Sequence, residues 1–415
     1  MKMKVAFVVG RFPCLSETFI LNQIAALINS GHEVTILAVE NPGEQKVHSD
    51  VYQFDLIRKT IYFPLIPVNK FLRILKGLVL IFKGLFTNPL RVITCLDVVK
   101  FGRDALSLKL LYYNIPVLDR KFDILHCHFG QNGFIGSCLK RVGAGCLLLT
   151  TFHGYDLSEY LAVAGQGIFS ELFRVCDLCL PISQHWKNRL IEMGCPEERI
   201  AVHHMGIDVE RLQFQKKQLS PDEPVKLLTI GRLVEKKGHE YAIRAVAKSL
   251  LEHSNLEYTI AGSGPLEDSL KKLVNDLRIE SSVRFRGECD REEVQELFAE
   301  CHIFVLSSVT SSKGDKEGIP VVLMEAQAVG MPVVSTLHSG IPEGVLDGKS
   351  GFLVPEKDVD SLYEKIGYLI AHPEKWPELG RQGRSWVEKQ FNQPVLDQEL
   401  ESIFEKLLEG KRGQS

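Results

Sequence analysis

A two-domain α/β fold built on parallel sheets is predicted by three features of the chain. Apolar strand-like runs alternate with helical runs from end to end, a polar stretch breaks that alternation near the middle, and 415 residues exceed the ~150 of a usual single domain. The first series of strands is read at residues 5–9, 33–39, 123–127 and 146–151, each followed by loop signals and a helical pattern. Residues 213–224, which include Ser220, Pro221 and Pro224, interrupt the series. Strands resume at 225–230, 257–261, 283–286, 303–306 and 332–335. The linker is therefore placed at 205–224, separating an N-terminal domain at 1–205 from a C-terminal domain at 206–415, with the last helix free to cross back. Two facing Rossmann-like domains hold ligands beyond the carboxyl ends of their strands, in the cleft between them.

Composition narrows the function classes. With 45% hydrophobic and 24% charged residues the chain reads as a globular enzyme, and a net charge of −3 supplies no global field for nucleic acid. The apolar run 5–9 is too short for a signal-peptide core and is followed by Arg11, so it is read as a buried strand. No stretch reaches the ~18 uncharged apolar residues of a membrane span. The ten cysteines are scattered, several inside apolar runs, which suits a reduced cytoplasm and core packing.

Two segments carry chemistry. Gly231-Arg232-Leu233-Val234-Glu235-Lys236-Lys237-Gly238 lies between a buried strand and a helical run starting near His239. Backbone N–H groups and two cations converge in such a loop, which suits a departing diphosphate; the alternative is a solvated basic loop. Glu317-Gly318-Ile319-Pro320-Val321-Val322-Leu323-Met324-Glu325 sets one carboxylate before a helix and one inside it, with Pro320 read as the first helical residue. From Pro320 to Glu325 the helix rises ~7.5 Å, comparable with the span from hexose to ribose across a diphosphate. Gly318 and Ile319 would present N–H groups between the carboxylates. The plainer reading is a helix-capping glutamate and a surface one.

These residues resemble the family 4 glycosyltransferases, retaining enzymes of GT-B fold that carry two glutamates with seven residues between them, as Glu317 and Glu325 do here. The run Ser307-Ser308-Val309-Thr310-Ser311-Ser312-Lys313-Gly314-Asp315-Lys316-Glu317 is similar to the capsular and colanic-acid branch of that family. So are Phe12-Pro13-Cys14-Leu15-Ser16-Glu17-Thr18-Phe19-Ile20, His338-Ser339-Gly340-Ile341-Pro342-Glu343 and Gly351-Phe352-Leu353-Val354-Pro355, so the likeness spans the chain. The resemblance implies that Arg232 and Lys237 hold the diphosphate, with Gly318 and Ile319 beside it. It further implies that Glu317 holds the donor sugar, Glu325 the ribose, and that His153, in Phe152-His153-Gly154-Tyr155-Asp156, faces the sugar. It implies a metal-independent hexosyl transfer from a nucleotide diphosphate sugar, UDP-linked before GDP-linked, onto a glycan or lipid-linked oligosaccharide, as in exopolysaccharide or capsule synthesis. No metal or other cofactor is required. The resemblance also implies an acceptor on the domain 1–205 and a nucleotide sugar on the domain 206–415, with the acceptor hydroxyl attacking on the face the nucleotide leaves and a donor phosphate oxygen taking its proton.

One departure stands at the first strand, where relatives carry paired glycines and this chain has Gly10-Arg11-Phe12-Pro13. Gly10 is read as permitting a close turn, and Gly10, Ser16 and Glu17 as acceptor-side candidates. Three competing signals are assigned to structure. Asp358-Val359-Asp360 fits a metal-binding DxD but opens a helical run; Cys176 and Cys179 form a lone CxxC, with His126-Cys127-His128 on another strand, read as packing before a zinc site for want of a second pair; Gly262-Ser263-Gly264 is a broken dinucleotide fingerprint in which Glu267 replaces the third glycine. A nucleotide-sugar epimerase of the same architecture and a non-catalytic glycan-binding relative are the alternatives.

Finally, residues 67–91 read as a surface for an anionic membrane, giving a cytoplasmic protein peripheral to the inner face of the plasma membrane. No acidic residue falls between Asp55 and Asp97. Phe71, Ile74, Leu75, Leu78, Ile81, Phe82, Leu85 and Phe86 share one helical face, and Lys70, Arg73, Lys76 and Lys83 the other. The alternative is that this apolar face packs on the domain core.

Overall fold

A computed structural model describes residues 2–14, 17–43 and 47–413. Its strands form two six-stranded sheets. The first contains β1 (Lys4–Arg11), β2 (Glu33–Glu40), β3 (Thr60–Tyr62), β4 (Ile124–His128), β5 (Leu147–Phe152) and β6 (Leu178–Pro181). The second contains β7 (Val225–Ile230), β8 (Leu256–Ala261), β9 (Val283–Gly287), β10 (Ile303–Leu306), β11 (Val333–Thr336) and β12 (Gly351–Val354). Every pairing is parallel. The orders are β3-β2-β1-β4-β5-β6 and β9-β8-β7-β10-β11-β12, one doubly wound topology used twice. Each sheet reverses direction beside its first strand, between β1 and β4 and between β7 and β10, and there a crevice opens at the carboxyl ends.

The central strands are buried on both faces because helices cover both sides of a parallel sheet, which is why they read as unbroken apolar runs. Strands missing from the sequence reading lack that signature or were read otherwise. β3 is a half-buried edge of three residues, β6 carries Cys179 of the supposed cysteine pair, and β12 lies in a segment noted only for its family likeness. Cys176 and Cys179 are free and buried in the first domain's core, Cys176 bonding the carbonyls of Leu148 and Leu178.

The polar stretch 213–224 is more than a spacer. Lys217 is buried, and its Nζ donates to the carbonyls of Phe298 and Ala299, capping the helix Arg291–Glu300; burial brings its pKa down to about 8. The last helix, Gln393–Arg412, inserts Leu400, Phe404 and Leu408 into the core around β1 and β2, and Glu401 accepts from His32 at 2.9 Å. Between β3 and β4 lies a helical insertion that begins with the helix Lys70–Thr87. No helix among the described residues is long and apolar enough to cross a membrane.

Candidate active site

The loop leaving β7 is pressed into place by glycines. The Gly231 N–H donates to Ala261 at 2.9 Å and that of Leu233 to Ser263 at 2.9 Å. A Cβ on Gly262 would fall 2.1 Å from the Gly231 carbonyl oxygen, so the supposed dinucleotide glycines serve to let two loops touch. Gly238 sits at φ +65°, and a Cβ there would lie 1.8 Å from the Ser307 carbonyl oxygen at the end of β10. His239 donates through Nε2 to the Arg232 carbonyl at 3.0 Å, held neutral by burial that lowers its pKa to about 4. This fit carries both lysines under the β10 loop, where Lys237 Nζ lies 2.9 Å from Glu317 Oε1 and Lys236 Nζ 2.9 Å from Asp315 Oδ2. Arg232 is exposed and makes no ion pair among the described residues.

Glu317 is fixed at both ends. Its N–H donates to His338 Nε2 at 3.0 Å, its carbonyl accepts from Ser339 Oγ at 2.6 Å, and its carboxylate is buried. Burial by itself raises a carboxyl pKa, but Lys237 and Lys236 more than offset it and hold Glu317 ionised below the ordinary range. The helix begins one residue later than the sequence indicated: Pro320 is its extended N-cap (ψ 121°) and Val321–Ala328 its body, because proline's free carbonyl serves the first turn without any N–H of its own. The N–H groups of Gly318 and Ile319 have no protein partner among the described residues. Glu325 follows on the fifth helical residue, its pKa raised by burial against a smaller lowering from Arg291.

Across the cleft, His153 follows directly on the end of β5 at Phe152. A Cβ on Gly318 would meet Ile182 Cδ1 at 2.5 Å and lie 3.5 Å from the His153 carbonyl oxygen, so the two domains touch at these residues. The His153 ring lies between Phe19 and Phe129, with centroids 4.7 and 4.4 Å away, and its Nε2 is 3.1 Å from His128 Nδ1. Burial lowers its pKa to about 3, so it is a neutral imidazole, and its Nδ1 has no partner among the described residues. Asp156 builds the turn, accepting N–H bonds from His153 (3.0 Å), Gly154 (2.9 Å) and Gly130 (2.8 Å); burial raises its pKa to about 6 against these bonds.

The acceptor-side candidates are less tightly defined. Gly10 is not demanded by sterics, since its φ is not positive and a Cβ would meet Asn132 at an ordinary 3.8 Å; the close-turn reading is corrected on that ground. Glu17 is the N-cap of the helix Thr18–Asn29 but its side chain makes no capping bond, and burial raises its pKa despite Arg11. Ser16 lies outside the described residues.

Other groups matter that sequence reasoning left without a role. His338 accepts from Glu317 through Nε2, so Nδ1 carries the proton and donates to Glu356 Oε1 at 2.6 Å; Glu356 Oε2 in turn accepts the Thr310 N–H at 2.7 Å. Glu343 reaches into the other domain, accepting the N–H groups of Gln184 (2.8 Å) and His185 (3.1 Å) at the start of helix Gln184–Glu192, with His204 at 3.2 Å. The only sequence signal for either was the quoted run 338–343. Asp358 caps the helix Val359–Ala371 through Ser361 N at 3.0 Å, and Asp360 pairs with Lys248, so both carboxylates of the DxD sequence are engaged elsewhere.

The model of glycosyl transferases group 1 matches residues 210–386, and that of Glycosyltransferase Family 4 matches residues 16–211. The putative colanic acid biosynthesis glycosyltransferase WcaL of Escherichia coli is 36% identical over 409 residues, covering 98% of this chain and all of that protein. The amylovoran biosynthesis glycosyltransferase AmsK of Erwinia amylovora is 36% identical over 414 residues, with the same coverage. A GDP-mannose-dependent phosphatidylinositol monomannoside mannosyltransferase of Mycolicibacterium smegmatis is 28% identical over 262 residues, 61% of this chain and 68% of its own. Among solved structures, Anabaena HepE in complex with UDP superposes with a TM-score of 0.71 at 16% identity, covering 97% of this chain and 100% of that one.

Proposed function

The chain belongs to the family 4 glycosyltransferases of GT-B fold, and we propose that it is a retaining, metal-independent hexosyltransferase using a nucleotide diphosphate sugar. The observation that carries this reading is the buried Lys237–Glu317 pair beside the unpartnered N–H groups of Gly318 and Ile319. A cation, two amide donors and the exposed Arg232 supply the charge that a leaving diphosphate needs, and Glu317 is kept ionised to accept from sugar hydroxyls. In the transfer, the bond from the anomeric carbon to the phosphate oxygen breaks as the acceptor oxygen bonds to that carbon on the same face. The acceptor proton passes to a donor phosphate oxygen, and the nucleoside diphosphate leaves. Neutral His153 lines the sugar end and takes no proton in this scheme.

The acceptor is a glycan or a lipid-linked oligosaccharide of an exopolysaccharide or capsule, met at the cytoplasmic face of the membrane. The likeness to the colanic acid and amylovoran enzymes over nearly the whole chain supports this assignment. UDP is proposed before GDP as the donor's nucleotide. Calorimetric titration with UDP and GDP tests the base, and tighter GDP binding would reverse it. The decisive experiment is transfer in the presence of a chelator. Undiminished turnover is expected, and activity lost to EDTA and restored by manganese would reject metal independence.

A further inference from the structure

We infer that the helix Lys70–Thr87 is a fixed docking face for an anionic lipid surface, its apolar stripe held outward by a seam of glycines. The inference deepens the proposed meeting with a lipid-carried acceptor and rests on that reading for its purpose.

An ordinary surface helix turns its apolar side to the core. This one does the reverse. Its only buried residues are Gly77 and Gly84, two turns apart on one side. A Cβ on Gly77 would fall 2.6 Å from Leu108 Cδ1, and one on Gly84 2.7 Å from both Ile115 Cδ1 and Val92 Cγ2, so the backbone lies directly on the insertion. Phe71, Phe82 and Phe86 on the opposite side are 73%, 66% and 79% exposed, and Ile74, Leu75 and Leu78 are also exposed. Ile81 alone of the expected apolar face turns half inward. The helix is anchored: Asn69 caps Phe71 N at 2.9 Å, and Tyr112 Oη donates to the Arg73 carbonyl at 2.9 Å.

The charges around the stripe choose the occupant. Of the basic residues in this acid-free interval, Arg73 donates to the Pro67 carbonyl and Arg91 to those of Val117, Leu118 and Gly143, so these two are structural. Lys70, Lys76 and Lys83 are exposed and make no ion pair among the described residues. At ~100° per residue Lys76 and Lys83 border the apolar arc. An apolar strip edged by cations with no acid among them matches acyl chains beneath anionic headgroups. A second copy of the chain would set these lysines against their own kind.

Flotation of the full chain with vesicles of phosphatidylcholine alone, and of equal parts phosphatidylcholine and phosphatidylglycerol, tests the inference. Binding is expected only to the mixed vesicles and should weaken with salt. It should fall about tenfold or more in the K70E/K76E/K83E variant. F82S/F86S should lose it too, with an unchanged melting temperature. Equal binding to neutral vesicles, or full binding by either variant, would overturn the inference. So would a concentration-dependent dimer that F82S/F86S dissociates, which would assign the face to a second copy. UDP titration of the same variants separates this inference from the enzymatic reading: UDP binding should survive in both, and its absence from the unmodified protein would count against the donor and leave the lipid result standing.

Discussion

The first strand of each sheet ends in the same dipeptide, Gly10-Arg11 after the core of β1 and Gly231-Arg232 after β7, and the two loops do opposite things. Arg11 pairs with Glu40 on the neighbouring strand at 3.0 Å, and Gly10 has room for a side chain. Arg232 makes no ion pair among the described residues, and the loop that follows it is packed so tightly at Gly262 and Gly238 that any Cβ would collide with backbone. Two copies of one topology thus differ at the carboxyl ends of their first strands: in one the arginine is tied to a neighbouring inner strand, in the other it makes no ion pair among the described residues. The steric demand on the backbone, more than the residue type, distinguishes the two loops.

The two loops should differ most at their cations. Lys237→Ala or Arg232→Ala should lower turnover by ~100 to 1,000-fold, the scale of one preorganised transition-state stabiliser. A change below threefold would assign the loop to solvent. Gly238→Ala should destabilise the fold by about 2 kcal/mol or more, from positive φ and the clash with Ser307, measured by urea denaturation. A neutral result would mean that the loop is not pressed on β10.

His338→Phe sharpens the comparison, because it removes the acceptor that positions Glu317 without touching the loop cations. Turnover should drop about tenfold, the scale of one unmet buried hydrogen bond, with UDP affinity unchanged in calorimetry. The two glutamates should separate next. Glu325→Gln should weaken UDP by a few-fold, whereas Glu317→Gln should leave UDP binding equal or tighter, since Lys237 loses its competing carboxylate, and should instead blur selection among donor sugars. The opposite ranking of UDP affinities would exchange the two roles. Smallest of all, Gly10→Ala and Arg11→Ala should each change stability by less than about 0.5 to 1 kcal/mol, as for an exposed pair and an unstrained glycine.

The repeated α/β pattern and the two glutamates could be read from residues alone because each is local. A strand buried on both faces must be a continuous apolar run, and a helix start announces itself by proline. The same logic explains the failures. β3 is too short and too exposed to show a run, and Gly10 looked like a turn residue when nothing near it requires one.

The order of elements, the division into two series of strands, the charged loop 231–238 and the amphipathic stripe at 70–87 are all legible in the residues. All of these are matters of neighbours along the chain. Tertiary structure alone decided partnership and direction. His338 meets Glu317, and Glu356 meets His338, only because β11 and β12 bring distant loops to one side of β10. Arg11 is engaged because Glu40 ends the strand beside β1, whereas β8, beside β7, ends in Ala261. The apolar stripe faces outward because Gly77 and Gly84 admit a closer backbone contact than any side chain on the other face would allow. Periodicity states that a helix has two faces, but which one lies against the protein is set by the shape of the surface beneath it.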